Sequence, residues 1–503
     1  MVTGGVAYIA AQLRGDLAPV HFASASPYLL LGLALAIALG FEFVNGFHDT
    51  ANAVATVIYT NSMAPHAAVV YSGVLNFVGV LFSSGTVAFA IVSLLPVELI
   101  LKANDGAGFA MIFALLVAAI LWNLATWYRG LPASSSHTMI GSILGVGVAY
   151  HLMDGSGGAS GVNWEQVRKV FEALLFSPFI GFALAALLYM LFKLVARDPR
   201  LYTAPKGSAP PPLYIRAMMI VMCGGVSYAH GQNDGQKGMG LIMLILVGTV
   251  PTAYALNHAM GANEVQSFTV ASTQAAAVLD RYVLPGTKLQ DPGTELESFV
   301  RNGRYQPEVM PALREMVLDV RSEAIAYRSL ASVPQNMPGN IRNQMYLTNE
   351  TLRLLAKKGG PKFSAADAAV LVGYQGYLDK STKFIPSWVK VAVALALGLG
   401  TMIGWKRIVV TVGEKIGKTR MTYAQGATAQ MVAMATILGA GAYGLPVSTT
   451  HVLSSSVAGS MSASGNDLQR VTVRNILMAW IFTLPAAALL SGCLYWIFHT
   501  LAR

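Results

Sequence analysis

The sequence predicts an all-α polytopic membrane protein of two inverted repeats, each of about five transmembrane segments, with a polar helical insert in the second. Three observations carry that expectation. First, 54% of the 503 residues are hydrophobic, 12% are charged and the mean hydropathy is +0.53, a composition too apolar for a soluble globular domain. Second, the polar stretch 45–53 (Asn-Gly-Phe-His-Asp-Thr-Ala-Asn-Ala) interrupts an apolar run. It returns as 230–238 (His-Gly-Gln-Asn-Asp-Gly-Gln-Lys-Gly), with Gly46 over Gly231 and Asp49 over Asp234. Third, 130–137 (Gly-Leu-Pro-Ala-Ser-Ser-Ser-His) returns as 444–451 (Gly-Leu-Pro-Val-Ser-Thr-Thr-His), five of eight positions identical and two more keeping a hydroxyl.

Apolar runs long enough to cross roughly 30 Å of hydrocarbon fall at 28–58, 67–95, 108–128, 133–152 and 170–194. They fall again at 214–248, 387–405, 422–443, 446–463 and 473–498. The first motif recurs at an offset of 185 residues and the second at 314, so 129 extra residues lie between the two motifs of the second half. Composition locates them, because 258–386 holds 26 of the chain's 58 charged residues. Apolar spacings of three and four in 311–329 and 344–358 mark this insert as helical. The chain therefore divides into an N-terminal extramembrane segment (1–27), a first membrane repeat (28–196) and a cytoplasmic linker (197–213). The second repeat begins at 214–257, is interrupted by the insert (258–386) and resumes at 387–503.

An odd number of crossings per half turns the second half upside down relative to the first. Segments 193–216 and 404–420 each carry five Lys or Arg against one acid, the mark of cytoplasmic loops. Segment 90–106, equivalent by repeat to 404–420, has only Lys102 against Glu98 and Asp105, as suits the opposite side. Arg168 and Lys169 fall on the outer side, against the rule. Both termini and the insert are then periplasmic, and the expected location is the inner (plasma) membrane, in contact with the lipid bilayer.

The surplus of 34 Lys and Arg over 24 Asp and Glu is what cytoplasmic loops account for, so no nucleic-acid partner is expected. Cys223 and Cys493 lie in apolar segments and form neither a disulfide framework nor a metal spacing. Trp122, Trp127, Trp388 and Trp405 sit near segment ends as interfacial anchors. Pro178 and Pro485, each in the last segment of its half, bend a helix.

Ionisable groups at membrane depth mark function. Glu42, Asn45, Asp49 and Asn52 are three, four and three residues apart, so on a helix they share one face. His230, Asn233, Asp234 and Lys237 repeat that geometry, and His48 adds an imidazole. The glycines of both motifs suggest a break in the helix, which would expose backbone amides for anions and carbonyls for cations. A polar network that merely glues helices together is the bland alternative. In the second pair of motifs, Pro132 and Pro446 are placed to open a helix. Ser134, Ser135, Ser136 and Thr138, and likewise Ser448, Thr449 and Thr450, then fall among its first unpaired amides, making a donor-rich cup for an oxyanion. His137 and His451 are either orienting groups or ligands.

On these residues the chain resembles the inorganic phosphate transporter family, and especially its bacterial low-affinity members. The match is Gly46 to Ala53, Gly231 to Gly238, Leu131 to Thr138 and Leu445 to His451, in order and in both halves. The resemblance implies helical hairpins meeting at a central site, which raises the count to 10–12 helices, and symport of inorganic phosphate with a cation. It implies that Asp49, Asn52, Asn233 and Asp234 serve as cation and substrate ligands, with the two Ser/Thr clusters as the phosphate cradle. Where the family commonly has Gly-Ala-Asn-Asp, this chain has Gly46-Phe47-His48-Asp49. Imidazole offers nitrogen and titrates near neutral pH, whereas sodium prefers oxygen, so His48 and Lys237, which joins the substrate-binding group, favour coupling to protons. No catalytic residue, resident metal or cofactor is expected. The coupling ion is a proton or sodium, a divalent metal carried with phosphate is another form of cargo, and a homo-oligomer is compatible with the reading.

Two competing functions come from the same residues. A transporter of sulfate or another oxyanion would use the same fold. An intramembrane serine hydrolase would need one nucleophile activated by one base, and a duplicated constellation argues against it. No Gly-x-x-x-x-Gly-Lys-Ser/Thr motif occurs, which argues against direct drive by ATP.

Overall fold

The computed structural model describes residues 2–18, 26–94, 106–154, 164–205, 207–257, 262–287, 289, 291–327, 338–358, 360–465 and 468–502. Glu98, Lys102 and Asp105 lie outside them. The first half comprises α1 (Val2–Leu17), α2 (Ser26–Asp49), α3 (Ala51–Tyr59), α4 (Pro65–Leu81) and α5 (Thr86–Val92), followed by α6 (Gly106–Tyr128), α7 (Ser135–Asp154) and α8 (Trp164–Val195). The second opens with α9 (Leu213–Thr249) and the insert helices α10 (Ala262–Asp280), α11 (Pro292–Asn302), α12 (Val309–Tyr327), α13 (Pro338–Lys358) and α14 (Ala365–Thr382). It closes with α15 (Ser387–Thr401), α16 (Lys406–Glu414), α17 (Tyr423–Ala442), α18 (Thr449–Ala463) and α19 (Arg470–Ala502). The described residues are all-α apart from an isolated bridge between Gly417 and Leu468.

Among the described residues, four stretches are long and apolar enough to cross a membrane: Ser26–Tyr59, Gly108–Tyr128, Gln166–Val195 and Arg470–Leu501. Two bent pairs make six if each counts as one span. The run read as one crossing at 67–95 is one of these pairs, α4 and α5, which meet at 77°. Gly85, at φ 88°, turns the chain there, a conformation that only glycine adopts without strain. The outer faces of α8 and α19 are apolar, exposing Phe179, Leu187, Leu194, Ile481 and Leu489. Pro178 and Pro485 lie inside those two helices, which run on past them. Trp388 is a correction to the interfacial set. It is buried, and its indole donates to Asp16 Oδ2 at 3.1 Å.

The two halves are interleaved. Each motif helix packs on the second helix of the other half, α2 on α15 and α9 on α4. The last helices do the same, with α8 against α18 and α19 against α7. Among the described residues, the apolar interior of the membrane repeats is split in two. One cluster holds Leu31 to Phe41 of α2 and Met239 to Leu246 of α9. The other holds Ala51 to Val57 of α3 and Ile215 to Ala229 of α9. Both polar motifs lie in the layer between these clusters.

The motif glycines do not break α9. It runs unbroken for 37 residues through His230 to Gly238, and the first motif is interrupted only at Thr50, whose φ −53° and ψ −38° remain right-handed helical. Close approach is what the glycines provide. A Cβ on Gly231 would strike the Asn76 carbonyl of α4, one on Gly46 the Leu397 carbonyl of α15, and one on Gly238 the Glu42 side chain.

The insert is a helical unit with its own core, in which Phe268, Leu313, Val317, Leu355 and Tyr374 are buried together. The segments 311–329 and 344–358 fall largely in α12 and α13. At about 1.5 Å per residue, α9 is roughly 55 Å long. At its start Arg216 donates to Ser62 O and Asn61 to Gly207 O, and just beyond its end Asn257 N donates to Ser381 O of α14. The basic linker and the insert therefore stand at opposite ends of α9.

Candidate functional site

Two helix N-termini meet in the polar layer. Ser134 caps α7, its hydroxyl accepting from His137 N at 3.1 Å, and Ser448 caps α18, accepting from His451 N at 3.1 Å. Pro132 and Pro446 lie two residues ahead of these caps rather than inside the first turns as expected, so the serines and not the prolines open the helices. Ser136 Oγ of one hairpin donates to Val447 O of the other at 3.0 Å. The His137 and His451 rings lie 4.5 Å apart, and Trp480 stacks on His451 at 3.9 Å while donating to Pro132 O. His137 Nδ1 and His451 Nε2 have no hydrogen-bond partner. The unpaired amides and positive dipole ends of two helices thus converge on one point. The free backbone donors expected at the glycine motifs are supplied here instead.

Asp49 is held at that point. Its Oδ2 accepts from Ser135 Oγ at 2.8 Å and its Oδ1 from Thr450 Oγ1 at 2.6 Å, one hydroxyl from each half. Asn52 Nδ2 donates to Thr450 Oγ1 at 3.0 Å. His48 Nδ1 lies 3.2 Å from Asp49 Oδ1 and its Nε2 3.1 Å from Thr126 Oγ1. From the second half, Lys237 Nζ pairs with Asp234 Oδ1 at 2.7 Å and donates to Ser136 Oγ at 2.5 Å. His230 Nε2 stands between the carboxylates, 3.7 Å from Asp49 and 3.5 Å from Asp234. Asn233 Nδ2 donates to Leu445 O at 3.3 Å. All of these side chains are buried.

The remaining expected residues divide. Thr138 donates its hydroxyl back to Ser134 O at 3.0 Å, so it is spent on its own helix. Thr449 Oγ1, Asn52 Oδ1 and Asn233 Oδ1 are buried without a hydrogen-bond partner among the described residues. Glu42 and Asn45 lie further along the same face of α2, and both Glu42 oxygens and both Asn45 amide atoms are likewise unpartnered. Asp49, His230 and Asp234 offer ligand atoms within 4.8 Å of one another, a set that could hold a cation.

Several site residues escaped the motif reading. Asn76 Oδ1 meets His230 Nδ1 at 2.9 Å, and Asn76 Nδ2 donates to Thr401 Oγ1 at 2.9 Å. Thr401 in turn donates to Leu397 O at 2.8 Å. That chain fixes the Asn76 amide, so His230 Nδ1 must carry a proton and Nε2 is the nitrogen turned to the carboxylates. Asn123, buried with its amide unpartnered, and Thr126 come from α6. Asn76 and Asn123 were visible in the sequence as single amides in apolar runs.

The comparisons with known proteins agree with one another. The model of the phosphate transporter family matches residues 45–491. The low-affinity inorganic phosphate transporter PitB of Escherichia coli (strain K12) is 42% identical, and PitA of that strain 43%, each match covering 93% of this chain and 96% of the relative. A probable low-affinity inorganic phosphate transporter of Bacillus subtilis (strain 168) is 30% identical over 94% of this chain and 98% of its own. Among solved structures, one described as the sodium-dependent phosphate transporter aligns with a TM-score of 0.50 at 21% identity, covering 94% of this chain and 99% of that one, a likeness of fold. The match to the family model spans both polar motifs and both hairpin tips, and the chain belongs to the phosphate transporter family.

Proposed function

We propose that the chain is a secondary transporter that imports inorganic phosphate by symport with protons, through two inverted repeats whose hairpin tips form the phosphate cradle. The observation that carries this is the meeting of two capped helix N-termini beside Lys237. Free amides, hydroxyls and an ammonium are the donors an oxyanion needs. Thr449 Oγ1, buried without a partner, is a donor in that cradle that the protein itself does not use.

Charge supports coupling. With His48 and His230 neutral, Asp49 and Asp234 against Lys237 leave one net negative charge in a buried layer, before Glu42 is counted. A phosphate added to that layer raises the negative charge further, which is costly in low dielectric. Protons taken up on His48, on His230 or on the unpartnered Glu42 offset it. A sodium ion offsets it too, but the cation-sized space among Asp49, Asp234 and His230 presents a nitrogen, which suits a proton or a divalent metal better than sodium. That same set favours a second form of cargo, a neutral complex of phosphate with a divalent cation.

The hydrolase alternative has little support in this geometry, because Ser135 and Thr450 give their hydroxyls to Asp49 and Ser136 gives its own to Val447 O. Uptake of labelled phosphate into proteoliposomes tests the proposal. It is expected to be driven by an inward proton gradient, to persist without sodium and to collapse with a protonophore. His48→Asn is expected to flatten its pH dependence. Strict dependence on sodium, or an unchanged pH profile in His48→Asn, would refute proton coupling at this residue. Uptake that requires a divalent metal, with the metal entering in equal amount, would identify the complex as cargo.

A further inference from the structure

A cavity of 740 Å3 lies between the insert and the membrane repeats, away from the site just described. Its walls come from α13 and α14 on one side and from α5, α8 and the 442–445 hairpin tip on the other. Among the described residues it is lined by five basic side chains, Lys169, Arg342, Arg353, Lys380 and Lys383, against two acids, Glu350 and Asp379. Those acids are already engaged, Glu350 with Arg353 at 2.6 Å and Asp379 with Lys383 at 2.7 Å. Arg342 is different. It is 91% buried, and its Nε and Nη1 have no hydrogen-bond partner among the described residues. Burial pushes this guanidinium down to about 10, against the opposing pull of Tyr346, which leaves it charged at neutral pH. A buried charge without a partner is costly, and a fork of free N–H donors on a cavity wall is what an oxyanion completes.

The cavity and the cradle share a hairpin tip. Leu445 lines it, and the carbonyl of the same residue accepts from Asn233 in the polar layer. Two residues on, Val447 O accepts from Ser136. The tip that lines the cavity at 442–445 thus continues to Val447, whose carbonyl accepts from Lys237 Nζ at 3.4 Å. Lys169, which breaks the charge rule for its side of the membrane, has a place here as part of this wall.

We propose that the insert and the membrane repeats together form an antechamber in which Arg342 captures free inorganic phosphate before it passes the 443–447 tip. The inference rests on the phosphate-transport reading, and it gives the insert a part in substrate binding. Arg342 is a binding residue of the antechamber, with Lys380 and Lys383 supplying field.

The test uses the full chain in proteoliposomes. Arg342→Met is expected to raise the half-saturating phosphate concentration by about tenfold, the worth of one lost charged contact, while the maximal rate is kept. Arg342→Lys is expected to recover part of the loss. Because Nε and Nη1 have no hydrogen-bond partner among the described residues, Arg342→Met should not lower the thermal unfolding midpoint, and a large drop would mean a structural role and overturn the proposal. A second readout is independent of transport: inorganic phosphate should slow modification of Lys380 and Lys383 by an amine reagent in the unsubstituted protein but not in Arg342→Met. Protection without any phosphate uptake would keep the antechamber and sink the transport reading. Uptake with unchanged half-saturation and unchanged protection in Arg342→Met would do the reverse. An effect of Arg342→Met seen only in vesicles containing anionic phospholipid, and absent in pure phosphatidylcholine, would assign the cavity to a lipid headgroup and overturn the capture of free phosphate.

Discussion

Asp49 and Asp234 occupy matching positions in the two motifs, yet they are held differently, and substitution should tell them apart. Asp49 accepts hydroxyls from both hairpins, and an asparagine there can still accept one of them. Asp49→Asn is therefore expected to keep the fold and abolish coupled uptake. Asp234 is the ion-pair partner of Lys237, so Asp234→Asn leaves a buried ammonium unpaired, a loss of about 3 to 5 kcal/mol. Adding Lys237→Met should recover stability but not transport, which thermal unfolding and uptake assays read separately. The hydroxyls divide in the same way. Thr450→Ala removes a hydrogen bond to a carboxylate, about 1.5 to 3 kcal/mol of stability. Thr449→Ala removes a hydroxyl with no partner among the described residues, so it should weaken phosphate binding and leave stability unchanged. Equal phosphate affinity in Thr449→Ala and the unsubstituted protein would remove Thr449 from the cradle.

Packing decides what the glycine motifs do at the scale of elements. Gly46 and Gly231 sit against backbone carbonyls of helices from the opposite half, so a methyl group at either must push two helices apart. Gly46→Ala and Gly231→Ala are each expected to cost about 1 to 3 kcal/mol, as overpacking does. Gly40 lies on the same helix as Gly46 with nothing within 4 Å of an added Cβ, and Gly40→Ala should be neutral or stabilising. A thermal midpoint that falls equally in Gly40→Ala and Gly46→Ala would contradict this account. Composition, the paired motifs and the offset of their spacings carried the helical class, the insert and the residues that meet. The glycines misled because a break and a close approach draw on the same residue, and tertiary packing alone separates the two. Their spacing did hold the answer, since Gly231, Gly235 and Gly238 are four and three apart, the small-residue stripe of a helix that touches another. Asn76 and Thr401 were illegible as a pair because 325 residues separate them, and neither belongs to a repeated motif.

The whole molecule has a direction, and charge together with connectivity should reveal it. The basic linker, with Asn61, Gly207 and Arg216, gathers at one end of α9, and the insert with its cavity gathers at the other. Basic loops are retained in the cytoplasm, so the insert is expected to face the periplasm, where its antechamber would meet incoming substrate first. Ser267, exposed on α10, is a suitable reporter. Of the two native cysteines, Cys223 is buried and Cys493 is exposed, so Ser267→Cys belongs in a Cys493→Ser background. In intact spheroplasts it is expected to react with a membrane-impermeant thiol reagent as fully as after lysis. A cysteine at Lys406, on α16 beside the basic loop, should react only after lysis. The reverse pattern would turn the molecule over in the membrane, make the insert a cytoplasmic device and move the first encounter with external phosphate to the other hairpin tip, beside Gly130.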